Sequence, residues 1–350
     1  MLAGAEGTMS AMSGDGGASY KRAGVDLEAA TRSVDLITRA VEGTYTAGVI
    51  KGLGSFGGLF AVPSGFAHPV LVASTDGVGT KVSVASALAD RPGVLEGIGR
   101  DLVNHCVNDI LVQGAVPLFF LDYVASSRLD PEKVARLVGG VAAACVTAGA
   151  ALLGGETAEM PGVYQPGEHD LVGTVIGIVE RGAIVDGSAV VPGDVLLALP
   201  SGGLQTNGFS LARSVLAGSY DESLEAGTVG SALLAEHSSF LPVIAPLLAT
   251  GAIKAMAHIT GGGIPGNLPR AIPAGLGATV RRGSWREPAI FGLLSRRGSI
   301  SETEMFKVFN MGVGFIVVVA SSQAASLIER SQGALTHIGE ITDSGSVVIA

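Results

Sequence analysis

Apolar positions recur at intervals of three and four residues over three stretches of the first half, and each predicts an amphipathic helix. Over 26–41, Leu27, Ala30, Val34, Ile37 and Val41 share one face, and Gly43 closes the segment. Over 94–113, Leu95, Ile98, Leu102, Val103, Cys106, Val107, Ile110 and Leu111 form one continuous apolar stripe. The third stretch, 131–148, opens with Asp130 as N-cap and Pro131 at the first helical position. Short apolar runs at 59–62, 70–73, 118–124, 151–153 and 171–179 read as strands. After Glu180-Arg181-Gly182 the pattern continues with strands at 183–185, 195–199 and 314–319. Helices follow Gly208, lie near Ile264 and cover 323–332. This order predicts an α/β protein of the α+β type with two domains, 20–179 and 180–350. Each is a mostly antiparallel or mixed sheet with helices on one side. Residues 1–19, rich in Gly, Ala, Ser and Met and without a period, predict a disordered tail.

Composition narrows the class. With 350 residues, 47% hydrophobic and 15% charged, the chain is long for one core and suits an α/β protein that hides further surface in an oligomer. A net charge of −9 supplies no basic field to draw nucleic acid or an anionic membrane, so a phosphorylated ligand must be held locally. Cys106 and Cys145 sit inside apolar periodic segments and read as small buried hydrophobes in a reducing cytosol, hence a cytoplasmic protein. The stretch 137–155 lacks charge but is rich in Ala and Gly and breaks at Gly149, so no membrane span is expected.

Chemistry concentrates where apolar runs end in glycine. Ser74-Thr75-Asp76-Gly77-Val78-Gly79-Thr80-Lys81 offers a hard oxygen ligand, backbone N–H groups able to approach an anion, and a cation. Gly154-Gly155-Glu156-Thr157-Ala158-Glu159 repeats that logic, and the two ends are expected to converge on one cation and one triphosphate. The polar face of 94–113 carries Asp101, His105, Asn108 and Asp109 at i, i+4, i+7 and i+8. This is either a solvated face or a row of ligands. Gly52-Leu53-Gly54-Ser55-Phe56-Gly57-Gly58 matches the dinucleotide fingerprint by letter, but a short strand follows where that fingerprint needs a helix. A glycine loop folding over phosphates is the alternative. Further glycine turns at 201–208, 260–267 and 309–314 precede helices or strands in the second half, with Arg270 close to the middle one.

Several of these segments together carry a resemblance. They are Asp76 to Lys81, Cys106 to Asp109 with Gln113 to Ala115, Phe119 to Tyr123, Gly154 to Gly162, Asn207 to Arg213, and His258 to Gly263. In this order they resemble the phosphoribosylformylglycinamidine cyclo-ligase family, also called aminoimidazole ribonucleotide synthetase, from about Tyr20 to the C-terminus. The resemblance implies ATP-dependent closure of formylglycinamidine ribonucleotide to aminoimidazole ribonucleotide in purine biosynthesis, with release of ADP and phosphate through a phosphorylated formyl amide. It implies a homodimer whose N-terminal sheets join in a central barrel, and ATP with Mg2+, K+ being admissible as a further cation. Such transfer is mostly positioning and charge neutralisation, in keeping with the absence of a nucleophile motif.

Carried onto this chain, the resemblance implies that Asp76, Asp109 and Glu156 hold magnesium and, with Lys81, perform the catalysis. Gly54, Ser55, Gly57, Gly58, Gly77, Gly79, Thr80, Asp101, Asn108, Gly154, Gly155 and Thr157 would complete the nucleotide site. Thr206, Asn207, Gly208, Arg213, Gly261, Gly262, Gly263, Asn267, Arg270 and Asn310 would hold the substrate. The chain departs from the family at Gln205, where histidine is common, at Thr38, near which a lysine is usual, and at Ser55, where glycine is usual. An amide cannot titrate near neutrality, so Gln205 carries no acid–base role. The alternatives are another ATP-dependent enzyme of the same superfamily or a non-catalytic nucleotide-binding module.

Overall fold

A computed structural model describes residues 23–225 and 227–350. The tail expected at 1–19 lies outside the described residues. Helix α1, Leu27–Glu42, starts where the Asp26 carboxylate accepts from the N–H groups of Glu28 and Ala29, and stops at Gly43. Strands β1, Val49–Lys51, and β2, Leu59–Phe60, pair around the 52–58 glycine loop. Then come β3, Pro69–Gly77; α2, Lys81–Ala87; α3, Val94–Leu111; β4, Val116–Ser126; α4, Pro131–Ala148; β5, Ala151–Glu159; and β6, His169–Glu180.

The first-half strands form one sheet in the order β3-β6-β4-β5, antiparallel except for the β4–β5 pair. Helices α3 and α4 cover one face of this sheet, and they cross very closely. A Cβ on Gly99 would lie 2.1 Å from the Leu137 carbonyl oxygen and one on Gly140 2.0 Å from that of Glu96, so only glycine allows the approach. The opposite face is open: Leu71 is 60% exposed and Leu121 36%. Side chains alternate along β3, so Ser74 and Asp76 point towards α3 while Leu71, Ala73 and Thr75 point away.

The second half holds β7, Val195–Pro200; α5, Phe209–Leu216; β8, Ser223–Leu224; β9, Gly227–Thr228; α6, Val229–Leu233; α7, Leu241–Leu248; β10, Ile253–His258; and α8, Gly263–Asn267. It continues through β11, Gly277–Val280; α9, Ala289–Gly298; α10, Glu302–Val308; β12, Val313–Val319; α11, Ala324–Arg330; β13, Thr336–Thr342; and β14, Val347–Ile349. Its main sheet runs β10-β12-β7-β13-β11-β14. Val195, Leu197 and Leu199 join a core shared with α7, α11 and the first half, while Leu196 and Ala198 join a second core with Ile264 and Leu268 beneath α8. This sheet is therefore covered on both faces, not on one as its pattern suggested.

Two strands differ most from expectation, and β3, read at 70–73, also runs on to Gly77. The strand read at 151–153 continues to Glu159 because Gly154 to Glu159 stay in register with Leu121 to Ser126. The strand read at 183–185 is a 3₁₀ turn, Arg181–Ala183, followed by a segment whose Val185 N–H donates to the Gln113 carbonyl at 3.2 Å. Both cysteines are buried and free. Among the described residues no helix is long and apolar enough to cross a membrane.

Candidate active site

A cleft of about 550 Å³ opens between the two halves. Asp76 on β3 and His105 and Asp109 on α3 line one wall; His258 at the end of β10, Thr260, Asn267 and Arg270 line the other. The periodicity of α3 puts His105 and Asp109 one turn apart on the face turned from the apolar stripe. Each carboxylate is clamped by a histidine. His105 Nε2 lies 2.7 Å from Asp76 Oδ2, and His258 Nδ1 lies 2.8 Å from Asp109 Oδ1. Ser74 donates to Asp109 Oδ2 at 3.0 Å, and the Gly77 N–H donates to Asp76 Oδ1 at 2.7 Å.

Burial pushes the Asp76 carboxyl up, but the hydrogen bonds from His105 and from the Gly77 N–H outweigh that and it settles below the usual carboxylate range. Burial likewise pushes Asp109 up, and His258, then His105 and Ser74, bring it below that range. Both acids are thus ionised near neutrality, with side chains 46% and 29% exposed to the cleft.

The other polar residues of α3 do different work. Lys81, expected to face phosphate, is fully buried: its Nζ lies 2.6 Å from Asp101 Oδ2, donates to the Ala235 carbonyl at 2.8 Å and sits 5.7 Å from the Phe209 ring centre. Asp101 Oδ1 accepts from the His237 N–H, Asn104 donates to the His237 carbonyl, and Asn108 spans Ser238 and Phe240. Asp101 and Asn108, expected beside the nucleotide, instead latch the 235–240 loop of the second half onto α3. A helix face that packs on another part of the chain satisfies that loop's backbone groups with the short polar side chains that would otherwise serve a ligand.

Glu156 does not join Asp76 and Asp109 within the protomer. Strands β3 and β5 are opposite edges of a four-stranded sheet, separated by three inter-strand spacings of roughly 4.8 Å each. Glu156 lines a separate groove of about 330 Å³ under α1, with Gly154, Gly155, Thr157, Leu53, Ile37 and Asp122. Gly155 is required there, since a Cβ would lie 2.0 Å from Asp122 Oδ1. In the adjoining loop of Gly54, Gly57 and Gly58, the Ser55 hydroxyl reaches the carbonyls of Gly52 at 2.6 Å and Gly57 at 2.8 Å, closing the loop on itself. Gly77 ends β3, Gly79 takes φ +54°, and Thr80 leads into α2 with its hydroxyl 3.2 Å from that of Ser210.

Among the residues assigned to substrate, Asn267 and Arg270 reach the cleft, and Arg270 donates to Asn267 Oδ1 at 3.1 Å. Asn207 accepts from the Gly261 N–H at 2.6 Å and so braces the 261–263 turn. Gly263 is fixed by packing, a Cβ there meeting the Phe306 carbonyl oxygen at 1.9 Å, and Gly262 has φ +100°. Gly208 caps α5, on which Arg213 lies away from the lining of the cleft. Asn310 is buried and spends its amide on Gly203, Leu204, Ser201 and Gly312, so it shapes the wall. Thr206 is buried and bonded to histidines. Gln205 is 2% exposed with φ +63°, and its Nε2 has no partner among the described residues.

The histidines are what sequence reasoning missed. His105 stood in the polar stripe only as one of a possible row of ligands, His258 stood in a motif without a role, and His237 drew no attention. Their rings meet at 5.1–5.3 Å between centres. They come from three separate elements, so no local spacing could have grouped them.

Comparison with known proteins follows the same geometry. Residues 65–179 match the family model described as AIR synthase related protein, N-terminal domain, and 191–350 the corresponding C-terminal domain. The phosphoribosylformylglycinamidine cyclo-ligase of Myxococcus xanthus is 49% identical over 324 residues, covering 91% of this chain and 93% of that protein. Two solved structures share the fold at low identity. A thiamine-monophosphate kinase from Stenotrophomonas maltophilia matches with TM-score 0.68 at 18% identity, covering 90% and 95% of the two chains. Hydrogenase maturation protein HypE in complex with ATP matches with TM-score 0.59 at 17% identity, covering 96% and 92%. The two family models together span most of the chain, and with the cyclo-ligase relative they show that this chain belongs to the phosphoribosylformylglycinamidine cyclo-ligase family.

Proposed function

We propose that the cleft carries out the ATP-dependent ring closure named by its relatives. The formyl oxygen of formylglycinamidine ribonucleotide takes the γ-phosphoryl group of ATP, releasing ADP. The ribose-bearing nitrogen then attacks the activated carbon, loses its proton, and phosphate departs with the former formyl oxygen. An amide oxygen is a poor leaving group, and phosphorylation makes it a good one. The observation that carries this reading is the pair of ionised carboxylates, Asp76 and Asp109, each held by a histidine and opening on one cleft.

That pair fits magnesium: both are hard oxygen donors, and each oxygen keeps a lone pair beyond its one protein partner. When bound there, the ion would neutralise charge on the transferring phosphoryl group. Asp76 and Asp109 hold it, and His105 and His258 fix their orientation. Across the cleft, Arg270 supplies the cation for the substrate's phosphate, with Asn267 and the 261–263 turn beside it. Lys81 acts through the latch on 235–240 and not by touching phosphate.

We propose further that residues 20–179 form the nucleotide-binding and dimerisation domain and 180–350 the domain that completes the substrate site. The open apolar face of the first sheet supports a dimer in which two such sheets close an eight-stranded barrel and fill it with these side chains. Closure would pair the β5 edge of one copy with the β3 edge of the other, which accounts for Glu156 and the groove under α1 lying far from Asp76 in one chain. ATP, which the HypE structure contains, would then span the seam, with the 52–58 loop and Gly154 to Thr157 around it. The buried free cysteines suit a cytoplasmic enzyme. The test is an assay with ATP, Mg2+ and formylglycinamidine ribonucleotide as sole acceptor: ADP and aminoimidazole ribonucleotide should form in equal amounts. ADP without the aminoimidazole product would overturn the reading.

A further inference from the structure

His237 belongs to no part of the reaction described above, yet much of the domain contact is built around it. It is 1% exposed. Its N–H is held by Asp101 at 2.6 Å and its carbonyl by Asn104 at 2.8 Å, with the neighbouring Ala235 carbonyl held by Lys81 and Ser238 by Asn108. These bonds immobilise the backbone and leave the imidazole as the group delivered inward. There it completes a line of close polar contacts between the two carboxylates: Asp76 to His105 at 2.7 Å, His105 Nδ1 to Thr206 Oγ1 at 2.5 Å, Thr206 Oγ1 to His237 Nδ1 at 3.3 Å, His237 Nε2 to His258 Nε2 at 3.1 Å, and His258 Nδ1 to Asp109 at 2.8 Å.

Counting hydrogens fixes the direction of each bond. A carboxylate only accepts, so His105 carries hydrogen on Nε2 and His258 on Nδ1. In so enclosed a place the arrangement without a charged ring is favoured. Three neutral imidazoles and one hydroxyl then bring four hydrogens to five links, and one link stays empty. The short His105–Thr206 contact takes the threonine's hydrogen. His237 has one hydrogen left to place, towards Thr206 or towards His258. The longest link, 3.3 Å to Thr206, is the one that can stand empty, so the hydrogen sits on Nε2 and points at His258.

We propose that His237 is a positioning residue: it donates from Nε2 to the free nitrogen of His258 and so locks that ring, and through it the Asp109 carboxylate, in the orientation the cleft requires. Both nitrogens of His258 are then occupied, and the ring can neither flip nor swing towards the substrate. Burial, with the charge of Lys81 nearby, depresses the His237 pKa well below the ordinary histidine value, in keeping with a neutral ring.

The chain has six histidines, few enough to resolve in a protein labelled with ¹⁵N-histidine. Long-range ¹H–¹⁵N spectra should show His237 as the Nε2–H tautomer and His258 as the Nδ1–H tautomer; a His237 hydrogen on Nδ1 would overturn the proposal. For activity, His237→Leu should lower kcat by roughly 10–100-fold with KM for ATP nearly unchanged, the usual cost of losing a partner that orients a ligating or reacting group. His237→Gln, whose amide N–H lies near the position of Nε2–H, should recover most of that loss. Equal losses in the two variants would sink it, and should His237→Leu not fold, a tenfold loss in His237→Gln alone would do the same. The kinetic arm rests on the proposed ring closure, whereas the tautomer arm does not, so failure of either reading can be told from failure of the other.

Discussion

Asp101 and Asp109 lie eight residues apart on one helix, and both pair with a basic side chain reached from elsewhere in the chain. Asp101 is 1% exposed and meets Lys81 in a region closed to water; Asp109 is open to the cleft and meets a histidine. The first pair spends its remaining hydrogen bonds on the 235–240 backbone, so its charges are used up in joining the halves of the molecule. The second keeps lone pairs facing a cavity of about 550 Å³, so its charge is available to a ligand. What separates structure from chemistry on α3 is therefore the surface each turn faces, since the residue types are the same.

The comparison breaks most visibly at Lys81. Lys81→Met keeps the stem and removes the charge, leaving Asp101 without its cation in a site whose burial already pushes its carboxyl up, so that it must either stay charged and unpaired or take up a proton. Loss of one partner of such a pair costs about 3–5 kcal/mol, so urea unfolding should shift by that amount. Affinity for ATP should survive, while turnover per folded molecule falls as far as the loosened loop displaces His237; replacing both partners, as Lys81→Met with Asp101→Leu, should restore much of the stability. A Lys81→Met protein that unfolds like the parent but has lost its affinity for ATP would put the lysine back against phosphate.

The next effect is the mirror image. Asp109→Asn preserves the shape and the acceptor for His258, with the Ser74 hydroxyl turning to accept from the new amide, while removing the charge from the cleft. Turnover should fall by roughly 10²-fold or more, about 2.7 kcal/mol, with the unfolding transition moved little. Near parental turnover would remove Asp109 from the chemistry. If instead the protein unfolded, α3 would be structural along its whole length.

This contrast also explains what the sequence could and could not disclose. The apolar period of 94–113 located α3 to within two residues, and glycines and caps marked α1 and α4, because local patterns carry that information. Asp76 and Asp109, singled out for metal, and Asn267 and Arg270, singled out for substrate, all line the cleft. Lys81 and Asp101 were read as nucleotide residues, whereas the structure buries them against each other, and a buried cation and a phosphate-binding one look alike in sequence. Only tertiary packing says which surface meets solvent. Glu156 was grouped with Asp76 because both follow glycine at a strand end, whereas strand order, which local pattern does not encode, places them at opposite edges. The histidines at 105, 237 and 258 meet only because the 235–240 loop is latched to α3.

Asp122 extends the comparison to an acid with no cation at all, and its effect is spread over a range of pH. Its carboxyl faces the groove under α1; Oδ2 is enclosed without a hydrogen-bond partner among the described residues, and burial pushes the pKa up to about 7. Between about pH 4, where an ordinary aspartate titrates, and about pH 7, the folded protein holds a proton that the unfolded chain has released. The unfolded state then binds fewer protons, so this group's contribution to stability is full below about pH 4 and falls by at most about 1.4 kcal/mol per pH unit until it is lost near pH 7. Asp109, with its pKa lowered, acts in the opposite sense: its contribution is present above the ordinary aspartate value and is lost as pH falls through its own. Asp122→Asn has no proton to lose. Its unfolding free energy, measured in urea at pH 4.5, 6 and 8, should gain on that of the parent between the first two and again, more slowly, to the third. Parallel curves would mean that the carboxyl finds a partner in solution, such as water or a cation entering the groove, and Asp122 would then belong with the acids of the cleft.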